Sequence, residues 1–357
     1  MEIGFLVDKI AFGGGERILK MLIDEFYKLG HTISIYSWNK EWINFENINS
    51  YNIYILQDSP IGLRGKLLAY KELREKIFIT RPDCLIIFSL GLAEVGVWAG
   101  KRNNIPVILS ERVDPNYLPK SKVHRFIRLL VYKACSGIVF QTVEVKKYYS
   151  KSIQEKGIVI PNPIMDDKLP MANVDSPRKE IVAVGRLSDE KNYELLITAF
   201  SELKKSDYKL RIFGEGPLFN KLQQMIEVLD MKDKIFLEGQ VDRVIEHIKD
   251  SDIFVLSSKH EGMPNVLIEA MAMGLACIST DFSSGGARAL IVHRENGMLV
   301  PMNNIKSMKK VIFELMNDAT LKRKLKVNAL NIRKTNSKEI ILPMWIDFIY
   351  SISKRKV

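Results

Sequence analysis

Apolar runs of β type alternate with helical patterns from one end of this chain to the other, and few folds accommodate that alternation. Strand-like runs lie near residues 2–7, 31–37, 52–56, 84–88, 106–110, 137–140 and 157–160. A second set lies near 180–184, 208–213, 234–238, 253–257, 276–280 and 297–300. Helical patterns fill the first half near 15–29, 64–79, 91–102, 120–135 and 143–150. They fill the second near 190–205, 216–229, 243–250, 265–273 and 304–330. Alternating β and α units imply parallel sheets covered by helices on both faces. The pattern restarts after Pro161-Asn-Pro-Ile-Met-Asp-Asp167, where two prolines in a turn-rich string mark a hinge candidate. The expected organisation is a domain over 1–165, a second over 166–337, and a last helix over about 338–354. The 357 residues suffice for two domains of ordinary size.

Composition narrows the function classes. A hydrophobic share of 46% with 27% charged residues is ordinary for a soluble globular protein. No uncharged apolar stretch reaches the 18 or so residues that a membrane span needs; the best run, Cys84 to Ala93, is broken by Glu94. The start, Met1-Glu-Ile-Gly-Phe-Leu-Val-Asp8, has no basic region and enters a strand at once, so no signal peptide is expected. Cys84, Cys135 and Cys277 lie in apolar runs without metal spacing and read as reduced core thiols in a cytoplasmic protein. The net charge of +11 leans to the first half, where 23 Lys and Arg stand against 16 Asp and Glu. That excess suits anionic lipid, a polyprenyl diphosphate or nucleic acid. With no zinc knuckle, RNA-binding aromatic string or helix-turn-helix signal, no nucleic-acid partner is expected.

The chemistry concentrates in Glu261-Gly-Met-Pro-Asn-Val-Leu-Ile-Glu269. The apolar run Asp252–Ser257 precedes it and a helical pattern follows, which reads as strand, tight loop, helix. Glu261 then lies on a loop at a strand's carboxyl end, and Glu269 one turn into the next helix. In open α/β sheets ligands bind in that crevice, and the N–H groups at a helix start favour an anion. Two carboxylates beside an anion site suggest a ligand with both hydroxyls and phosphates, such as a sugar nucleotide. On their own, two Glu at this spacing read equally as a loop cap and a solvated helix residue.

The string Ser257-Ser-Lys-His-Glu-Gly-Met-Pro-Asn-Val-Leu-Ile-Glu-Ala-Met-Ala resembles the Glu-x7-Glu signature of family-4 retaining glycosyltransferases with the GT-B fold. Further strings fit the same family. Gly13-Gly14-Gly15-Glu-Arg17 follows the first strand and is similar to the family's Gly-Gly-x-Glu-Arg loop, which lies against the donor diphosphate from the opposite domain. With no Gly-x-Gly-x-x-Gly, an NAD site is not expected. Gly185-Arg186-Leu-Ser-Asp-Glu-Lys191 is similar to Gly-Arg-x-x-x-x-Lys, whose Arg and Lys neutralise the diphosphate leaving group. Arginine offers a planar fork there and lysine a point charge. Phe213-Gly214-Glu-Gly-Pro217 and Leu237-Glu-Gly-Gln-Val241 correspond to loops that line the nucleobase pocket. Thr280-Asp-Phe-Ser-Ser-Gly-Gly-Ala-Arg288 resembles a further donor-domain loop, with Arg288 read as either a ligand contact or an ion-pair partner.

The first half departs from the family. Where many members carry a His that contacts the donor sugar, this chain has Ser110-Glu111-Arg112-Val-Asp114-Pro115, which looks like the exopolysaccharide subset that includes galactosyltransferases. Glu111 and Asp114 become candidates for contacting acceptor or donor hydroxyls, with a buried ion pair as the alternative.

Two more readings complete the sequence. Asp250-Ser-Asp252 bridges a helix end and a strand start, so it reads as capping rather than metal binding. His260 has no second ligand at metal spacing, and no metal is expected. The basic stretch Lys120–Lys133 places Val123, Phe126, Ile127, Leu130 and Val131 on one helical stripe, with Lys122, Arg125 and Arg128 off it. Its apolar side is expected in the core, and its basic side is a candidate contact for anionic lipid or a polyprenyl diphosphate.

Taken together, the resemblance implies an α/β protein of GT-B type, with two Rossmann-like doubly wound domains facing a cleft. The donor would be a UDP-sugar, transferred with retention to a lipid-linked saccharide acceptor at the inner face of the cell membrane, without a metal cofactor. The expected catalytic groups are Glu261, Arg186, Lys191 and Glu111. Donor contacts are expected from Gly13, Gly14, Gly15, Gly214, Val241, Gly262, Met263, Pro264, Asn265, Val266 and Glu269. Asp114, Arg112, Lys122 and Arg125 are expected on the acceptor side. A sugar-nucleotide epimerase and a non-catalytic, membrane-associated sugar-nucleotide-binding subunit are the rival readings.

Overall fold

A computed structural model of the chain describes residues 1–7, 14–38, 50–57, 61–166, 168–172 and 178–354. Two compact units emerge. Met1–Asn162 with Glu339–Val357 forms the first, and Pro163–Lys338 the second. The change of unit falls at Pro163, three residues before the position expected from the sequence.

The first unit carries β1 (Glu2–Val7), α1 (Gly14–Lys28), β2 (Thr32–Ser37), β3 (Asn52–Ile55), α2 (Gly62–Thr80), β4 (Cys84–Ile87), α3 (Leu90–Arg102) and β5 (Val107–Glu111). It continues with α4 (Lys122–Ala134), β6 (Gly137–Phe140), α5 (Val143–Lys147), α6 (Lys151–Gln154) and β7 (Gly157–Val159). All pairings are parallel, in the order β3-β2-β1-β4-β5-β6-β7. Ala69, Leu73 and Ile77 of α2, Val95 and Ala99 of α3 and Val131 of α4 share one core with Leu85, Ile87 and Leu109 of the strands. Thus α2, α3 and α4 cover the same face of this sheet.

The second unit carries β8 (Glu180–Val184), α7 (Tyr193–Ser201), β9 (Lys209–Phe213), α8 (Phe219–Val228), β10 (Ile235–Gly239), α9 (Val244–Ile248), β11 (Ile253–Leu256), α10 (Asn265–Met273), β12 (Ala276–Thr280) and β13 (Met298–Val300). Helices α11 (Ile305–Asn317), α12 (Ala319–Ala329) and α13 (Ile332–Thr335) follow, and α14 (Lys338–Ser353) then belongs to the first unit from Glu339 on. The parallel sheet of the second unit runs β10-β9-β8-β11-β12-β13. Strand β11 shows why the apolar runs are unbroken. Ile253 and Val255 enter one core, Phe254 and Leu256 the other, and all four are buried.

One predicted helix is two. The pattern over 304–330 breaks at Asp318, whose backbone is extended and whose side chain accepts from the Leu321 N–H. Asp318 therefore ends α11 and caps α12. At the end of the chain α14 packs on β6, where a Cβ on Gly137 would lie 2.9 Å from the Phe348 ring. Trp345 of α14 stacks on Phe88 at 5.5 Å, also within the first unit.

Each sheet reverses its strand order once, at β1/β4 and at β8/β11. A crevice opens beyond the carboxyl ends of the strands at such a switch point. In the second unit, the loops leaving β8 and β11 carry Arg186–Lys191 and Ser257–Glu261.

Candidate active site

Lys191 and Glu261 meet at the switch point of the second unit. The Lys191 Nζ lies 2.6 Å from Glu261 Oε1, and both side chains are mostly buried. The Ser258 hydroxyl donates to the same Glu261 oxygen at 2.8 Å, so the carboxylate is held from two sides. The two loops are laced through their backbones as well. The Ser257 hydroxyl donates to the Lys191 carbonyl at 2.8 Å, and the Lys259 N–H donates to the Glu190 carbonyl at 2.7 Å. From β12, the Thr280 hydroxyl donates to the Ser258 carbonyl at 2.6 Å. Tyr193, at the start of α7, is buried beneath the pair. Burial, reinforced by the Glu261 charge, pushes its phenol pKa up and keeps it neutral.

Glycine is required at two of these crossings. Gly214 has φ +133°, and a Cβ on it would sit 2.1 Å from the Gly185 carbonyl oxygen. Its N–H donates to the Gly239 carbonyl at 2.7 Å, which joins the two loops expected at the nucleobase. The Leu187 N–H donates to the Glu215 carbonyl at 2.8 Å and ties the same loop to the Arg186 turn. Gly286 is the second case, since a Cβ there would lie 1.9 Å from the Gly262 carbonyl oxygen. The Ser284 hydroxyl donates to that carbonyl at 3.0 Å. The 280–288 loop thereby backs the Glu261 turn.

Arg186 is exposed beside this cluster, with no ion-pair partner among the described residues. Met263 and Pro264 are buried, Asn265 and Val266 half-buried at the first turn of α10, and Glu269 is 7% exposed on that helix. Val241 is half-buried against the core beneath. Arg186 and Lys191 after β8, Gly214 after β9 and Glu261 after β11 thus stand on three loops that leave one sheet at its carboxyl end.

Comparison with known proteins gives the family of the chain. Residues 166–331 match the family described as glycosyl transferases group 1. An uncharacterised glycosyltransferase of Methanocaldococcus jannaschii is 30% identical over 296 residues, 75% of this chain and 72% of that protein. The chain belongs to the glycosyl transferases group 1 family. A second relative in Campylobacter jejuni is 25% identical over 361 residues, 99% of either chain; it is the GalNAc-alpha-(1->4)-GalNAc-alpha-(1->3)-diNAcBac-PP-undecaprenol alpha-1,4-N-acetyl-D-galactosaminyltransferase. The fold is that of Anabaena HepE in its complex with UDP, with a TM-score of 0.81 at 16% identity over 98% of this chain and 100% of that one. The two-domain GT-B expectation therefore holds, and the protein is a glycosyltransferase.

The first unit of this glycosyltransferase corrects several expectations. Glu111 is 2% exposed, and its Oε2 accepts from the Tyr132 hydroxyl at 2.7 Å and the Tyr149 hydroxyl at 2.6 Å, with Arg128 at 3.8 Å. A carboxylate so occupied braces the core and is not offered to a ligand. Burial and the Glu111 charge push both tyrosine pKa values up. Asp114 is likewise buried, accepting from the Asn116 backbone N–H at 2.9 Å to shape the following turn. Arg125 donates to the carbonyls of Pro119 and Asn116 and braces that loop.

Arg112 lies 4.5 Å from the Phe88 ring and 5.7 Å from Trp345, donating to Ser110 Oγ and Asn162 Oδ1. Burial lowers its pKa, with Glu16 acting the other way, and the guanidinium stays charged at neutral pH. Lys122 is exposed at the start of α4. That helix is turned relative to expectation. Val123, Phe126 and Leu130 are exposed, while Arg128, Val131 and Tyr132 face inward.

Gly13 lies outside the described residues, and Gly14 and Gly15 open α1; a Cβ on Gly15 would meet nothing within 4 Å. Arg288 pairs with Asp281 at 2.8 Å, which assigns it the ion-pair role. Asp252 also departs from its expected capping role. It is buried at the amino end of β11, away from the site, and binds Lys322 at 2.8 Å, Lys326 at 2.9 Å and the Tyr208 hydroxyl at 2.7 Å. Reading the sequence missed Ser258, Ser257, Tyr193 and Thr280. The serine pair at the end of the β11 run was the available signal, since hydroxyls there can reach the neighbouring loop.

Proposed function

We propose that the protein is a retaining hexosyltransferase that moves a hexose or N-acetylhexosamine from a UDP-sugar to a lipid-linked saccharide in bacterial surface polysaccharide synthesis. The observation that carries this reading is the Lys191–Glu261 pair, with Arg186 beside it, at the switch point of the second unit. As the bond from C1 to the diphosphate oxygen breaks, negative charge grows on the β-phosphate. Lys191 and Arg186 are the cations at hand, and the first turn of α10 adds the positive end of its dipole. Glu261, fixed by Ser258 and Lys191, accepts hydrogen bonds from sugar hydroxyls and favours the positive charge that develops at C1. Glu269 binds the ribose hydroxyls. The acceptor oxygen bonds to C1 as the bond from C1 to the diphosphate breaks, and the acceptor's hydroxyl proton passes to a β-phosphate oxygen of the departing UDP. These cations make a metal unnecessary, so transfer continues in EDTA.

The named substrates of the Campylobacter jejuni relative, which include an undecaprenyl diphosphate, support the lipid-linked acceptor. HepE, solved with UDP and with UDP-glucose, supports the donor class. The positive excess of residues 1–165 suits an anionic membrane surface, with the protein in the cytoplasm at the inner face of the membrane. Among the described residues, no helix is long and apolar enough to cross a membrane.

The test is a panel of UDP- and GDP-sugars, incubated with and without a membrane lipid extract, with nucleoside diphosphate release measured. Release from one UDP-sugar, raised by the extract, is expected. Release from GDP-sugars alone, or none from any donor with folded protein, would sink the reading.

A further inference from the structure

A helix packed on a sheet needs one apolar stripe, and α2 has two. Ala69, Leu73 and Ile77, at i, i+4 and i+8, are fully buried in the core of the first unit. Leu63, Leu67, Tyr70 and Phe78, at i, i+4, i+7 and i+15, form a second stripe. Of these Leu63 is 88% exposed, Leu67 55% and Phe78 60%. A helix that is apolar on two sides has something to bury on each. Leu63, Leu67 and Tyr70 of this stripe border a groove of about 630 Å³ between α2 and α3, whose other wall is Val95 and Trp98, the latter 41% exposed.

The groove is cationic as well as apolar. Lys66, Lys101 and Arg102 line it, and Glu94, its one acid, is neutralised by Lys66 at 2.5 Å. Lys101 lies 5.7 Å from the Trp98 ring. Lys101 and Arg102 have no carboxylate partner among the described residues. Large apolar side chains interleaved with unpaired cations match a bilayer interface, where the apolar groups enter the acyl boundary and the cations meet lipid phosphates. The same mixture is a poor fit to a second copy of the chain. A two-fold interface would set these cations against one another, and lysine is depleted from protein–protein interfaces.

We infer that the α2–α3 groove of the first unit is where this protein docks onto an anionic phospholipid bilayer, with Leu63, Leu67 and Trp98 as the inserted groups. The inference rests on the proposed function only in that a lipid-linked acceptor requires access to a membrane. Helix α2, 19 residues and so about 28 Å long, would lie in the plane of the interface. Exposed Val123 and Phe126 of α4 stand on the same helical layer and offer a competing docking site.

Flotation with phosphatidylglycerol-containing vesicles, against phosphatidylcholine alone, tests the assignment. Wild-type protein is expected to float with the anionic vesicles and to be released by salt. The double variant Leu63→Glu with Leu67→Glu is expected to partition about tenfold or more weakly, with an unchanged circular-dichroism melt. Trp98→Ala is expected to weaken binding less. The comparator, Val123→Glu with Phe126→Glu, is expected to keep most binding. Equal flotation of the α2 variant and wild type would overturn the assignment, as would loss confined to the α4 comparator. So would wild-type protein that ignores anionic vesicles, or that forms a dimer through this face. Nucleotide release from the donor panel is a separate readout, so failure of the proposed transfer leaves the flotation result interpretable.

Discussion

Lys191 Nζ and Glu261 Oε1 lie 2.6 Å apart although the residues are separated by 70 positions in the chain. The contact exists because β8 and β11 are neighbours at the switch point, so the loops leaving them share one crevice. A cation and a carboxylate held together there can divide one donor between them, phosphate to the lysine and sugar hydroxyls to the glutamate. Replacing Lys191 by Ala is expected to lower kcat by about 10²–10³-fold, the usual cost of removing one group that stabilises developing charge. Lys191→Arg should not restore it, since the fork cannot keep the point contact with Glu261. Steady-state kinetics with the preferred UDP-sugar decide this, and near-wild-type kcat in either variant would contradict the leaving-group role.

Glu269 calls for a different signature. It is buried on α10, eight residues after Glu261, and its proposed partners are the ribose hydroxyls. Those contacts persist from ground state to transition state, so Glu269→Gln should raise KM and weaken UDP binding by about tenfold while sparing kcat. Calorimetric titration with UDP gives the answer. Unchanged affinity would remove the ribose assignment.

Gly286 links the fold to the site through one distance. A methyl group at this position would lie 1.9 Å from the Gly262 carbonyl oxygen, inside any allowed contact, and the atom it meets is backbone. Gly286→Ala is therefore expected to push the turn carrying Glu261 away from Lys191. A loss of kcat with a modest fall in melting temperature is the expected pair of results. Wild-type kcat would show that the turn can shift without moving Glu261.

Much of this was legible from residues alone, for a physical reason. A parallel strand is buried on both faces, so Cys84–Ile87 and Ile253–Leu256 read as unbroken apolar runs with sharp ends. What the runs could not show is which loops meet, since the Lys191–Glu261 contact depends on strand order. Glu111 was misread for a related reason: its partners Tyr132 and Tyr149 lie 21 and 38 residues on. In α4 the periodicity was sound and the facing side was not. Arg128, Val131, Tyr132 and Cys135 also fall at i, i+3, i+4 and i+7, and Arg128 turns inward because Glu111 and backbone carbonyls receive its charge.

Glu111→Ala should consequently behave as a stability variant. It leaves Arg128 buried without its carboxylate and two buried hydroxyls without their acceptor, a loss of about 3–5 kcal/mol by analogy with other broken buried pairs. Urea unfolding is expected to show a lower midpoint, while the surviving folded enzyme keeps its KM for the donor. A raised donor KM without loss of stability would return Glu111 to the catalytic list.

Asp252 ties acid stability to one buried cluster. Burial opposes its ionisation, but hydrogen bonds from Lys322, Lys326 and Tyr208 outweigh that, and its pKa lies below the ordinary carboxylate value. A carboxyl group with a lowered folded pKa binds its proton more weakly in the native state than in the unfolded chain. Its stabilisation is complete above the unfolded value of about 3.9 and is lost as the pH falls through the lower, folded one. Wild-type protein should thus lose stability below about pH 4, and Asp252→Asn should lack that share of the acid dependence. The variant should also be weaker at neutral pH, by about 3–5 kcal/mol, because Lys326 is 1% exposed and would remain buried without a countercharge. Urea midpoints measured for both proteins from neutral to acid pH separate the two effects. Parallel curves across the acid range would mean that Asp252 does not carry this linkage.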